Sequence, residues 1–167
     1  SPNNPSGQIC ENLKEIASIV EKYNLIILSD EIYSELSFKD NYQSISSFCP
    51  EKTIISTGLS KWCGARGWRL GYFLVPDSLS EIKDMINVLA SETFSAVSAP
   101  IQYAAIKAYE NDHSEYINKS RNILYAVGNY VYENLKSNKV LINKPQGGFY
   151  LMPEFLNLSL IHISELT

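Results

Sequence analysis

The stretch GLSKWCGARGWRLGY, Gly58 to Tyr72, decides the reading of this chain. It holds a single lysine, Lys61, followed by Arg66 and Arg69, among glycines and small residues. TIIST, Thr53–Thr57, runs into it as a short apolar segment that predicts a buried strand. WRLGYFLVP, Trp68–Pro76, predicts a further strand on the far side. Lys61 therefore sits just beyond a strand end, where ligands gather in open α/β sheets. Taken alone, a lysine in such a place is a solvated surface group. Its surroundings decide whether it is more.

Working upstream, LIILS, Leu25–Ser29, reads as a fully buried parallel strand, closed by Asp30-Glu31-Ile32-Tyr33. Before it, Leu13, Ile16, Ala17 and Val20 recur at helical spacing. The chain opens on SPNNPSG, which is turn chemistry. Working downstream, helices are predicted over Ser80–Leu89, Ala99–Glu110 and about Ser114–Lys136. Pro100 suits the first turn of the second, where a missing N–H costs nothing. The long third helix would turn Tyr116, Ile123, Leu124, Val127, Val131 and Leu135 inward. KVLINKP and GGFYLMP read as two strands of a smaller α+β piece. This element order predicts an α/β layer architecture.

Bulk properties narrow the function. The chain has 167 residues, of which 45% are hydrophobic, so a packed core is expected. A formal charge of −4 argues against non-specific binding to nucleic acid or an anionic membrane. The tyrosines do not alternate with basic residues as in a nucleic-acid platform. No apolar run is long enough to span a bilayer, and SPNNPSG is no secretion signal. Cys10, Cys49 and Cys63 are too few and too widely spaced for a disulfide framework or a zinc site. Reduced thiols in a cytoplasmic protein are the expectation. His113 and His162 are read as surface residues without a metal or nucleophile partner. The chain lacks an initial methionine and opens inside a turn, so it is expected to be an internal piece of a longer protein.

Four motifs in order carry a resemblance. They are Asn4-Pro5-Ser6-Gly7, Asp30-Glu31-Ile32-Tyr33, the lysine segment Gly58–Gly71, and Gly147-Gly148-Phe149-Tyr150. Together they resemble the class I aminotransferases, fold type I enzymes that use pyridoxal 5′-phosphate. The resemblance implies part of that family's mostly parallel-sheet large domain over residues 1–113, and part of its small α+β C-terminal domain over 114–157. It implies that Lys61 forms a Schiff base with the cofactor aldehyde and later carries a proton at the substrate Cα. Asp30 would hold the ring nitrogen protonated, Tyr33 and Asn4 would reach the ring oxygen, and Arg69 would grip the phosphate in a forked geometry. Ser60 joins the cofactor-binding set. Trp62 and Cys63 would supply an apolar wall, since burial disfavours the ammonium form of an amine that must attack.

Amino acids and 2-oxo acids are the implied partners, in a cytoplasmic homodimer. Residues 158–167 do not resemble the family's continuation. They look like translated sequencing adapter, and are expected to be artefactual. Where many relatives have serine three places before the lysine, this chain has Gly58, which puts one phosphate contact in question. Ser56, Thr57 or Ser60 could supply it. Arg66 replaces a small residue. It is read either as a surface charge or as a neighbour of the phosphate. Glu92–Val97 lacks the arginine with which some aspartate-specific relatives hold a second carboxylate. Alternatives within the fold are a carbon–sulfur lyase or an aminocyclopropanecarboxylate synthase. An aminotransferase-like sensor domain of a transcription regulator, or a fragment that binds nothing alone, are the other readings.

Overall fold

The computed structural model describes residues 1–40 and 42–156. The proposed artefactual tail, 158–167, and His162 lie outside the described residues.

Helix α1, Leu13–Tyr23, is amphipathic and buries Ala17 and Val20. It stops at Asn24, whose φ of 49° places it in the left-handed region. The amides of Asn24 and Leu25 then donate to the carbonyls of Glu21 and Val20, which satisfies the helix end. The chain turns into β1, Ile27–Asp30, two residues later than the apolar run begins. Strand β2, Thr53–Gly58, lies beside β1 in parallel register, with Asp30 opposite Ser56. The crossover between them carries 3₁₀ turns at Ser34–Leu36, Ile45–Ser47 and Pro50–Lys52. Strand β3, Gly71–Leu74, returns antiparallel to β2, pairing Gly71 with Gly58. The sheet order is β1-β2-β3.

Helices α2, Ser80–Thr93, α3, Ala99–Glu110, and α4, Ser114–Leu135, follow. Pro100 occupies the first turn of α3, as its missing N–H requires. Two apolar clusters hold the described chain together. One joins Leu59, Trp62, Ala65 and Leu70 to Ala105 of α3. The other packs α1 onto the crossover through Ala17, Val20, Ile45 and Cys49.

The structure departs from the sequence reading in four places. Strand β1 is not fully buried: its residues alternate between half-buried and exposed, and Leu28 is 65% exposed. None of the described residues covers its outer face. Helix α4 buries no residue, and Tyr116, Ile123 and Val127 are exposed rather than inward. The third strand starts at Gly71, not Trp68, because Arg66–Trp68 forms a 3₁₀ turn and Arg69 follows at φ 55°. GGFYLMP is not a strand. Strand β4, Val140–Leu141, pairs instead with β5, Glu154–Phe155. Gly148 has φ 70°, a left-handed turn conformation that breaks strand geometry at that point.

Gly58 explains how closely β2 and β3 approach. A Cβ there would lie 2.5 Å from the carbonyl oxygen of Leu70 and 2.8 Å from Cα of Gly71. Both are backbone atoms, so the strands would have to separate. At Gly67 a Cβ would meet nothing within 4 Å. Gly58→Ala is expected to lower stability by about 1–3 kcal/mol, and Gly67→Ala to change it by no more than about 0.5 kcal/mol. Urea denaturation of the two variants checks the contrast. Equal midpoints would show that the strands relax freely.

Candidate active site

The sheet brings three of the singled-out residues to one edge. Asp30 is the last residue of β1. Lys61 lies three residues beyond the end of β2, and Arg69 two residues before the start of β3. Strand neighbours in a sheet are only about 4.8 Å apart, so these chain ends lie close together. Asp30 is exposed, and its Oδ1 accepts from the amide of Ile32 at 3.2 Å. Its neighbour Glu31 turns the other way and is buried. Glu31 Oε1 accepts from the hydroxyls of Ser29 at 2.9 Å and Ser44 at 2.5 Å.

The 3₁₀ turn after β1 buries Tyr33. The Lys61 ammonium nitrogen stands 5.2 Å from the centre of the Tyr33 ring and 5.4 Å from that of Phe149. Such ring faces attract a cation through their quadrupole. The two rings pack edge to face with centroids 5.5 Å apart, so Lys61 sits beside a joined pair, one ring from the crossover and one from the C-terminal part of the chain. Trp62 points elsewhere, into the core, against Tyr109 and His113 at centroid distances of 5.5 and 5.9 Å. The expected wall of Trp62 and Cys63 is therefore replaced by Tyr33 and Phe149. His113 is half-buried rather than at the surface, and its Nε2 has no partner among the described residues.

By sequence the Gly147–Tyr150 segment is a family mark and part of an expected strand, with no site residue in it. In the structure it reaches the site. The Tyr33 hydroxyl donates to that of Tyr150 at 3.1 Å, and the two rings meet edge to face at 5.7 Å. The signal that could have found Phe149 and Tyr150 is an aromatic pair directly after a Gly-Gly turn.

The opening turn docks on the same segment. The amide of Gln146 donates to Gly7 O at 2.9 Å, and the Gln146 side chain accepts from the amide of Ile9 at 2.7 Å. Gly7, at φ 67°, approaches so closely that a Cβ would lie 2.6 Å from Tyr150 O. Ser1 reaches the end of β1, its amino nitrogen donating to Asp30 O at 2.7 Å. Asn3, not Asn4, makes the turn's side-chain hydrogen bonds, to Ser6. Asn4 is exposed.

Arg69 is also exposed, and its Nη1 donates to Arg66 O at 3.1 Å. Arg66 is exposed too, and its carbonyl serves this turn. Ser60 is half-buried. Of the other two hydroxyls, Ser56 pairs with Asp30 and shares its face of the sheet. Thr57 faces away, into a cavity of about 460 Å³ between the sheet and α3 and α4. That cavity is lined by Ile55, Trp62, Tyr72, Tyr109 and Arg121 among others, and by none of Asn4, Asp30, Lys61 or Arg69. The candidate site residues and this cavity therefore lie apart. Among the described residues no group of histidine, cysteine and acidic side chains could hold a metal ion, and no helix is long and apolar enough to cross a membrane.

Comparison with known proteins gives one consistent result. The profile of the family described as aminotransferase class I and II matches residues 1–162. A probable aspartate aminotransferase of Methanocaldococcus jannaschii is 33% identical over 92% of the chain and 42% of its own length. A probable N-acetyl-LL-diaminopimelate aminotransferase of Bacillus subtilis is 34% identical over 91% of the chain and 38% of its own length. The crystal structure of an aromatic aminotransferase from Pyrococcus horikoshii superposes with a TM-score of 0.87 at 32% identity, covering 99% of this chain and 46% of that one. The chain spans about two fifths of the length of the curated relatives it matches.

Cys63, two residues from Lys61, is half-buried, and burial pushes its thiol up, away from the reactive thiolate. Cys10 is exposed and Cys49 buried. Alkylation with iodoacetamide at neutral pH should label Cys10 first, Cys63 slowly and Cys49 last. Peptide mass spectrometry reads the order, and rapid labelling of Cys63 would contradict its role as packing.

Proposed function

The chain belongs to the class I and II aminotransferases, and from that premise we propose that the whole protein moves an amino group from an amino acid to a 2-oxo acid with pyridoxal 5′-phosphate. The observation that carries the proposal is the Lys61 amine, set beside the packed rings of Tyr33 and Phe149 at the end of the sheet where β1 also ends in Asp30. The donor set fits the cofactor by its chemistry. An amine suits an aldehyde, a carboxylate suits a protonated ring nitrogen, a phenol suits a ring oxygen, and a guanidinium suits a phosphate. When bound, the cofactor supplies an aldehyde for imine chemistry and a ring that withdraws electrons from the substrate.

Each residue then has a task. Lys61 Nζ provides the attachment point and moves the proton at the substrate Cα. Asp30 favours the charged form of the ring nitrogen, and a hydrogen bond between charged groups contributes about 1.5–3 kcal/mol. Tyr33 donates toward the ring oxygen, and Asn4, exposed on the opening turn, is free to do the same. Arg69 binds phosphate, with Ser60 as the hydroxyl nearest to Lys61 in the chain. Gly58 contributes space rather than a hydroxyl, since its Cβ position is occupied by backbone. The 1–113 and 114–157 division belongs to this reading, with α4 opening the second part. So do the cytoplasmic location and the pairing of two copies. The names of the relatives cover aspartate, N-acetyl-LL-diaminopimelate and aromatic aminotransferases, which supports amino-group transfer and leaves the amino acid open.

Borohydride reduction of the full-length protein with pyridoxal phosphate, followed by peptide mapping, should label Lys61. Lys61→Ala should lose the label and at least roughly 10²–10⁴-fold in turnover, the usual worth of acid–base catalysis. Glutamate should form from 2-oxoglutarate and an amino donor. A label on another lysine, or turnover that survives Lys61→Ala, refutes the assignment.

A further inference from the structure

Tyr150 lies outside the set of residues to which the proposed chemistry gives a task. Its ring is half-buried, and its one side-chain hydrogen bond among the described residues is the 3.1 Å contact with the Tyr33 hydroxyl. The backbone that carries it is fixed on two sides. Gly7 approaches Tyr150 O to within a distance no Cβ could share, and the amide of Gly148 donates to Leu36 O at 3.0 Å. Leu36 belongs to the same 3₁₀ turn that follows Tyr33. The two phenols are thus held against each other by the backbone and not only by their own contact.

A phenol has one proton and two lone pairs, so the direction of a bond between two phenols can reverse. In the structure Tyr33 donates to Tyr150. When Tyr33 gives its proton to a ring oxygen instead, its own oxygen is left as an acceptor, and Tyr150 is the neighbouring donor. We propose that Tyr150 is a positioning residue: by turning its hydroxyl to donate to Tyr33 Oη, it aims the single Tyr33 proton at the cofactor oxygen. This rests on the reading of Lys61 and Tyr33 given above. A hydrogen-bonded chain strengthens each member, so Tyr33 becomes the better donor for a negatively charged oxygen. With the cofactor bound, a stronger hydrogen bond from Tyr33 to that oxygen would lower the pH at which the visible band changes.

The test follows the pH midpoint of the visible band in the full-length protein reconstituted with pyridoxal phosphate. Wild type is compared with Tyr33→Phe, Tyr150→Phe and the double variant. Phenylalanine keeps the ring packing, so folding is preserved. Tyr150→Phe should raise the midpoint by about half a unit to one unit, the worth of one ordinary hydrogen bond. Tyr33→Phe should raise it further, and Tyr150→Phe should add nothing in the Tyr33→Phe background. A Tyr150→Phe midpoint equal to wild type overturns the proposal. So does the same shift in both backgrounds, because Tyr150 would then act without the Tyr33 hydroxyl. A wild-type protein that attaches the cofactor at Lys61 and shows either result overturns this inference alone. A wild type with no visible band overturns the functional reading as well.

Discussion

Three backbone hydrogen bonds join an opening segment at Gly7, a middle one at Leu36–Phe38 and a last one at Gln146–Gly148. Gln146 donates to Gly7 O, Phe38 to Gln146 O, and Gly148 to Leu36 O, all within 3.0 Å. Contacts this close between main chains leave no room for side chains. A Cβ on Gly147 would lie 2.5 Å from Pro2 Cγ and 3.1 Å from Leu36 O. Close approach thus requires Gly7 and Gly147, while Gly148 is required by its positive φ. Everything that surrounds Lys61 depends on this meeting of three backbones. Tyr33 stands on the middle segment, Phe149 and Tyr150 on the last, and the first fills the space behind them.

The sheet supplies the complementary part. Its three strands are short, and two of them expose apolar side chains such as Leu28 and Phe73. Their contribution to the site is placement. Parallel β1 and β2 deliver Asp30 and Lys61 to the same edge, and antiparallel β3 returns Arg69 there. The apolar cluster of Leu59, Trp62, Ala65 and Leu70 lies on both sides of Lys61 in sequence and anchors the loop that carries it. The packed cluster thus anchors the loop that carries Lys61, and other loops contribute its aromatic neighbours.

Much of this was legible in the amino-acid order. Helix α1 shows its 3.6-residue period, β2 its apolar run, and α3 its N-terminal proline. The lysine segment is marked by its small residues. What could not be read concerns groups whose position is set by distant chain. Trp62, next to Lys61, turns into the core because Ala105 and Tyr109 receive it. Tyr33 and Phe149, far apart in sequence, take the place assigned to it. GGFYLMP has strand composition, yet Gly148 adopts a positive φ and Gly147 makes only an isolated bridge to Ser37. Helix α4 has apolar periodicity, but burial needs a partner surface, and the described residues provide little of one. Local pattern fixes an element; what the element touches is decided elsewhere.

The adjacent carboxylates at the end of β1 carry a consequence of their own. Asp30 faces solvent at the site edge, while Glu31 is sequestered by Ser29 and Ser44. Side chains alternate along a strand, so a slip of one position between β1 and β2 would exchange them. The exposed acid would be locked among serines, and the locked one would swing outward on a longer stem. Strand registration in this protein therefore decides which carboxylate stands at the open end of the sheet: a shortened β1 would present Glu31 in place of Asp30.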